Sequence, residues 1–150
     1  MTIVSEWIDG YKCRATVLDL GHEIICDEPP VLGGKNEGPN PFALLKMSLA
    51  NCVMGTLVGV CKTRGVDLKE LTVRVVHKQN TMAPPTEDLA RTVKIIELRC
   101  SIDMKAEVTP EDEEALRWAA EHCPVANSLA GAIPIKHRLD VSSLGLSSPA

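Results

Sequence analysis

The sequence predicts an α+β fold with element order βββαββααβ, in which antiparallel sheets surround one long buried helix. Three observations carry this. Short β-branched runs separated by glycine-bearing turns fill the N-terminal third. One segment from Asn40 to Arg64 is apolar on nearly every helical face. Two further helix starts, at Thr109 and Cys123, precede a last β-branched run. The 150 residues are read as a single domain over 1–150, with a loose tail from about 142.

The first three strands are expected over Ile3–Ile8, Tyr11–Leu18 and His22–Asp27, with Asp9-Gly10 and Asp19-Leu20-Gly21 as the hairpin signals. The stretch PPVLGGKNEGPNP is too rich in Gly and Pro for regular structure. Asn40-Pro41 opens the long helix, with Asn as N-cap and Pro at the first helical position, and Gly65 stops it after Arg64. Leu71–Lys78 and Thr92–Met104 read as strands. Ile96, Leu98, Cys100, Ile102 and Met104 are expected on one face of the second, with NTMAPPTEDLA as the hairpin tip between them. Thr109-Pro110-Glu111-Asp112 starts the second helix, its acidic residues complementing the helix dipole. A short helix follows Cys123-Pro124 and ends near Gly131, and Ile133–Val141 is the last strand.

Bulk properties exclude several functions. A net charge of −4 with one Phe, one Tyr and two Trp does not suit nucleic acid, which wants a basic face and aromatic platforms. The start MTIVSEWIDG lacks the basic and apolar regions of a secretory signal. The six cysteines are therefore expected in a reducing, cytoplasmic setting rather than as a disulfide framework. The longest uncharged run, Met47–Cys61, has 15 residues. A membrane span needs about 20, so the run reads as a core helix and no membrane partner is expected. The helix carries only Lys46, Lys62 and Arg64 as charges, more apolar circumference than six strands easily cover. A second copy of the chain is the simplest cover, which predicts a homodimer.

Two cysteines stand in chemically telling contexts. Pro124 at a first helical position makes Cys123 an N-cap, with its sulfur near free N–H groups. That placement is expected to lower the thiol pKa below its usual ~8.5; a small buried hydrophobe is the competing reading. Cys52 lies mid-helix, where cysteine is ordinarily inert packing. Cys61 lies nine residues further on, about 180° round the helix, so at most one of the two faces Cys123. The Asp19–Gly21 turn makes Cys13 and Cys26 cross-strand neighbours, read as reduced core thiols, and Cys100 belongs to the core face. No zinc spacing occurs and His22, His77 and His137 are scattered, so no metal is expected. The GGKNEG loop lacks the phosphate-binding pattern.

The segments GPNPFALLKMSLANC and HCPVANSLAG, with the βββαββααβ order, resemble the OsmC/Ohr family of hydroperoxide-reducing stress proteins across essentially the whole chain. The resemblance implies intertwined homodimers with active sites at the subunit interface. It implies thiol-dependent reduction of organic hydroperoxides, with Cys52 as the peroxidatic residue and Cys123 as the resolving one. That assignment reverses the order suggested by the N-cap argument. A lower pKa need not mark the first attacker. No cofactor is implied beyond an external dithiol, often a lipoylated protein.

The family's peroxidases commonly carry an acidic residue after the Asn-Pro that holds an arginine over the thiol; here the position is Phe42. Glu37 is the nearest substitute and Arg14, alone before Arg64, the candidate guanidinium. Phe42, Met54 and Leu57 are expected to form an apolar pocket beside Cys52. Phe42 in the acid's place also motivates a non-enzymatic alternative, a dimer holding a small apolar ligand. A thiol redox sensor is a third reading.

Overall fold

The computed structural model describes residues 1–82 and 92–143. Two units are distinguished, Met1–Lys46 and Met47 to the C-terminus. The first is a meander of β1 (Ile3–Asp9), β2 (Lys12–Val17) and β3 (His22–Cys26), antiparallel in the order β1-β2-β3. Its turns fall where expected, and Cys13 lies directly opposite Cys26. A loop with one 3-10 turn then closes on the end of β3. Asp27, only 3% exposed, is its anchor. The carboxylate accepts the amides of Glu28 (2.8 Å), Lys35 (2.9 Å) and Glu37 (3.2 Å). Burial pushes the Asp27 pKa up, but the amides of Glu37, Lys35 and Glu28 outweigh it and hold the carboxyl below its ordinary value. The glycines make the approach possible: a Cβ on Gly34 would lie 1.8 Å from the Glu28 carbonyl oxygen, and one on Gly38 2.0 Å from that of Ile25.

Helix α1 (Pro41–Arg64) starts as its sequence dictates, Asn40 Oδ1 accepting the Ala43 amide at 2.9 Å. It stops at Gly65, whose φ of +72° lies in the left-handed region. Its buried residues are Leu49, Val53, Leu57 and Cys61, one stripe at four-residue spacing. The rest of the apolar surface is less covered, and Met47 is 47% exposed. By length and composition the helix also suffices to cross a membrane, a test that the core helix of a soluble protein passes equally.

The second sheet has the order β4-β5-β6, with β4 at Leu68–Met82, β5 at Thr92–Ala106 and β6 at Ile135–Ser142. Strands β4 and β5 are antiparallel, but β6 runs parallel to β5. The expectation of purely antiparallel sheets is corrected here. The chain between β5 and β6 contains α2 (Pro110–Glu121) and α3 (Pro124–Leu129), the kind of crossover that parallel neighbours require. The buried face of β5 is Leu98, Cys100, Ile102, Met104 and Ala106. Ile96 does not share it. The register shifts opposite Lys78 and Gln79, so Ile95 turns inward at 6% exposure and Ile96 outward at 38%. Of the expected hairpin tip, residues 80–82 belong to β4 instead, and residues 83–90 lie outside the described residues. So does most of the expected loose tail, although Ser142 closes β6.

Helix α2 opens with a full capping box between Thr109 and Asp112. Asp112 also receives Arg64 from the end of α1, so each charge complements the helix dipole where it stands.

Candidate active site

Helix α3 is short, and its start is set by Pro124, whose fixed φ and missing N–H suit the first helical position. Cys123 is then the N-cap, with extended backbone (φ −62°, ψ 151°), and its Sγ accepts the Ala126 amide at 3.4 Å. The amide one residue earlier, Val125, donates to Cys52 Sγ, also at 3.4 Å. Two sulfurs from distant parts of the chain thus sit on consecutive amides of one helix start. Cys52 is half-buried, and Cys123 is fully buried at 0% exposure. The face of α1 is settled by the same contacts: Cys52 addresses α3, whereas Cys61 is 2% exposed on the core stripe.

The expected low pKa of Cys123 is overturned. Burial is the largest influence and raises it; the Ala126 amide pulls it down, the neighbouring Cys52 thiol raises it again, and the Val125 amide lowers it. A helix N-terminus stabilises thiolate only as far as desolvation allows, and here desolvation prevails. Cys100, on the adjacent strand, is pushed up to about 11 by burial and by the charge of Cys123. It stays a protonated core thiol.

Around the pair, Thr56 one turn on donates its hydroxyl to the Cys52 carbonyl at 2.8 Å. Two of the expected pocket residues do not belong beside Cys52. Leu57, at 0% exposure, is locked in the core stripe with Leu49 and Val53. Met54 is two residues along α1, about 200° round the helix from Cys52. Phe42 occupies the first turn of α1, within the N-terminal unit. Arg14 and Glu37 belong to that unit too, and each has another partner. Arg14 Nε lies 3.7 Å from Glu23, and Glu37 takes the Lys12 ammonium at 2.7 Å. Glu37 therefore holds a lysine in place of the expected arginine. The free amides at this helix start were expected for Cys123; what sequence reasoning missed is that the Val125 amide serves Cys52 instead. Pro124 fixes where the free amides begin, but the partner of Val125 lies 73 residues away and has no local signal. Among the described residues, no group of three or more His, Cys, Asp or Glu side chains is placed to hold a metal ion.

Two thiols share one helix start, one half-buried and the other fully buried. The family model for OsmC-like proteins matches residues 34–138, and the chain belongs to that family. The fold agrees with solved structures. A protein from Psychrobacter arcticus 273-4 superposes with a TM-score of 0.75 at 24% identity, over 93% of this chain and 96% of that one. An organic hydroperoxide resistance protein OsmC from Legionella pneumophila gives 0.65 at 19% identity, over 94% and 98%. The organic hydroperoxide resistance protein OhrB of Bacillus subtilis gives 0.61 at 21%, over 93% and 98%. No curated protein matches the sequence.

Proposed function

We propose that this chain reduces organic hydroperoxides with Cys52 as the peroxidatic and Cys123 as the resolving cysteine. The Cys52 thiolate attacks the distal peroxide oxygen, the O–O bond breaks, and the alkoxide leaves as an alcohol after taking a proton. Cys52 is now a sulfenic acid. The Cys123 sulfur displaces its hydroxyl, which leaves as water, and the Cys52–Cys123 disulfide forms. An external dithiol, such as that of a lipoylated protein, returns both thiols. The observation that supports this most is the sharing of consecutive α3 amides by the two sulfurs. The Val125 N–H holds the Cys52 sulfur at the start of α3, next to Cys123. Burial raises the Cys123 pKa, which suits a resolving thiol better than a first attacker.

We place the reaction in the cytoplasm, in a homodimer. The open apolar surface of α1 and the exposed Ile3, Trp7 and Tyr11 of the N-terminal unit, at 57%, 76% and 61%, are the surfaces a second copy would cover. Arg14 is proposed to support the thiolate. A second reading has its own observation. An apolar groove of about 490 Å³ between α1 and α2, lined by Thr56, Gly59, Val60, Thr63, Ala115 and Trp118, would hold a small apolar ligand without turnover.

The test is peroxide consumption. Cumene hydroperoxide with dithiothreitol should disappear faster with protein than with dithiol alone. Loss at the blank rate removes the enzymatic reading. Disulfide formation without turnover leaves a thiol sensor, and neither leaves the ligand-holding dimer.

A further inference from the structure

The mechanism leaves a second cysteine pair unused. Cys13 on β2 and Cys26 on β3 are directly opposite one another in an antiparallel register. Side chains so placed have Cβ atoms about 4.5–5.5 Å apart, within a small strand adjustment of the ~3.5–4.5 Å of a disulfide. Burial raises the Cys26 pKa and the facing Cys13 thiol raises it further, in keeping with that register. Their access differs. Cys26 is buried at 6% exposure, whereas Cys13 is half-buried. Both are held in place, β2 between two neighbours and β3 by Asp27, whose carboxylate clamps the following loop directly after Cys26.

We infer that Cys13 and Cys26 form a second thiol site, which a low-molecular-weight disulfide oxidises reversibly to a cross-strand disulfide. Exchange with a small disulfide needs only an accessible thiolate and a second thiol within bonding reach. The Cys13 thiolate attacks one sulfur of the small disulfide, and the first small thiolate departs. The mixed disulfide on Cys13 then meets Cys26, which gives up its proton. The Cys26 sulfur bonds to Cys13 and expels the second small thiolate. Two protein thiols have lost two electrons and two protons; the small disulfide has become two thiols. The intramolecular second step outruns hydrolysis or a second small thiol because its partner is fixed across the strand. This chemistry is independent of Cys52 and of any peroxide.

The test uses the full chain with Cys52→Ser and Cys123→Ser, which leaves four of the six thiols. After incubation with oxidised glutathione, alkylation should find two of the four protected, and dithiothreitol should restore them. Trypsin cuts after Lys12 and Arg14, so the bridge is read as a two-residue Cys13 peptide joined to Ala15–Lys35. Four free thiols, a lasting glutathione adduct on Cys13, or a bridge to Cys61 or Cys100 overturns the inference. The same mapping on the unmodified sequence covers the case in which the double variant fails to fold. There the Cys13–Cys26 peptide should again appear, and Cys13→Ser should remove it while the Cys52 and Cys123 peptides keep their oxidation pattern. Its absence from the unmodified sequence overturns the inference as well.

Discussion

Cys52 and Cys123 are 71 positions apart in the chain, yet their sulfurs accept from neighbouring amides, Val125 and Ala126, each at 3.4 Å. The start of a helix six residues long therefore serves two thiols at once. One of them also caps the helix, so oxidation of the pair should be felt in the fold as well as in the chemistry.

Replacing each cysteine separates the proposed roles. Cys52→Ser should reduce peroxide consumption to the dithiol blank. Cys123→Ser should still consume one equivalent of peroxide and then accumulate a sulfenic acid on Cys52, which dimedone traps and mass spectrometry reads. Trapping on Cys123 in the Cys52→Ser protein would invert the assignment.

Leu57 acts on stability rather than on substrate. It is completely buried in the α1 stripe. Leu57→Ala should cost about 2–5 kcal/mol in chemical denaturation through lost transfer energy and a cavity. Peroxide selectivity in the folded fraction should not change. Altered selectivity without lost stability would return Leu57 to the pocket.

Phe42→Glu supplies the carboxylate that peroxidase relatives of the resembled family carry after Asn-Pro. With Arg14 as its partner, turnover should rise by about 10²-fold, the low end for one oriented electrostatic group. Adding Arg14→Ala should cancel the gain. A folded Phe42→Glu protein with unchanged turnover would dismiss Arg14 and strengthen the ligand-holding reading.

Acid should weaken the C-terminal unit through Glu97. Hydrogen bonds from Lys136 and Arg99 outweigh its partial burial and depress its pKa to about 2. A depressed carboxylate stabilises the fold fully above the unfolded value of about 4.5, and the contribution fades as pH falls toward about 2. Glu97→Gln should flatten the dependence of the denaturation midpoint on pH in that window. An unchanged slope would show that the ion pairs of Glu97 with Lys78, Arg99 and Lys136 are neutral to folding.

Light scattering over a concentration series should give about twice 16.2 kDa, with no compact monomer at micromolar concentration. A folded monomer would mean that the open face of α1 is tolerated in water, contrary to the packing argument.

Element order was legible because its signals are local. Asn40-Pro41, Gly65, the Thr109–Asp112 capping box and Cys123-Pro124 each act within about one helical turn, through caps and fixed dihedrals. The register of Cys13 against Cys26 likewise follows from the short turn between their strands. Other features depend on residues distant in sequence. The direction of β6 was set by the crossover through α2 and α3, and the inward turn of Ile95 in place of Ile96 by a bulge in pairing with β4. Burial sealed Cys123 and raised its pKa against the local pull of the helix start. Capping energies are short-range and can be read from a few adjacent residues. Desolvation is the summed exclusion of water by the whole surrounding fold, and no local stretch of sequence contains it.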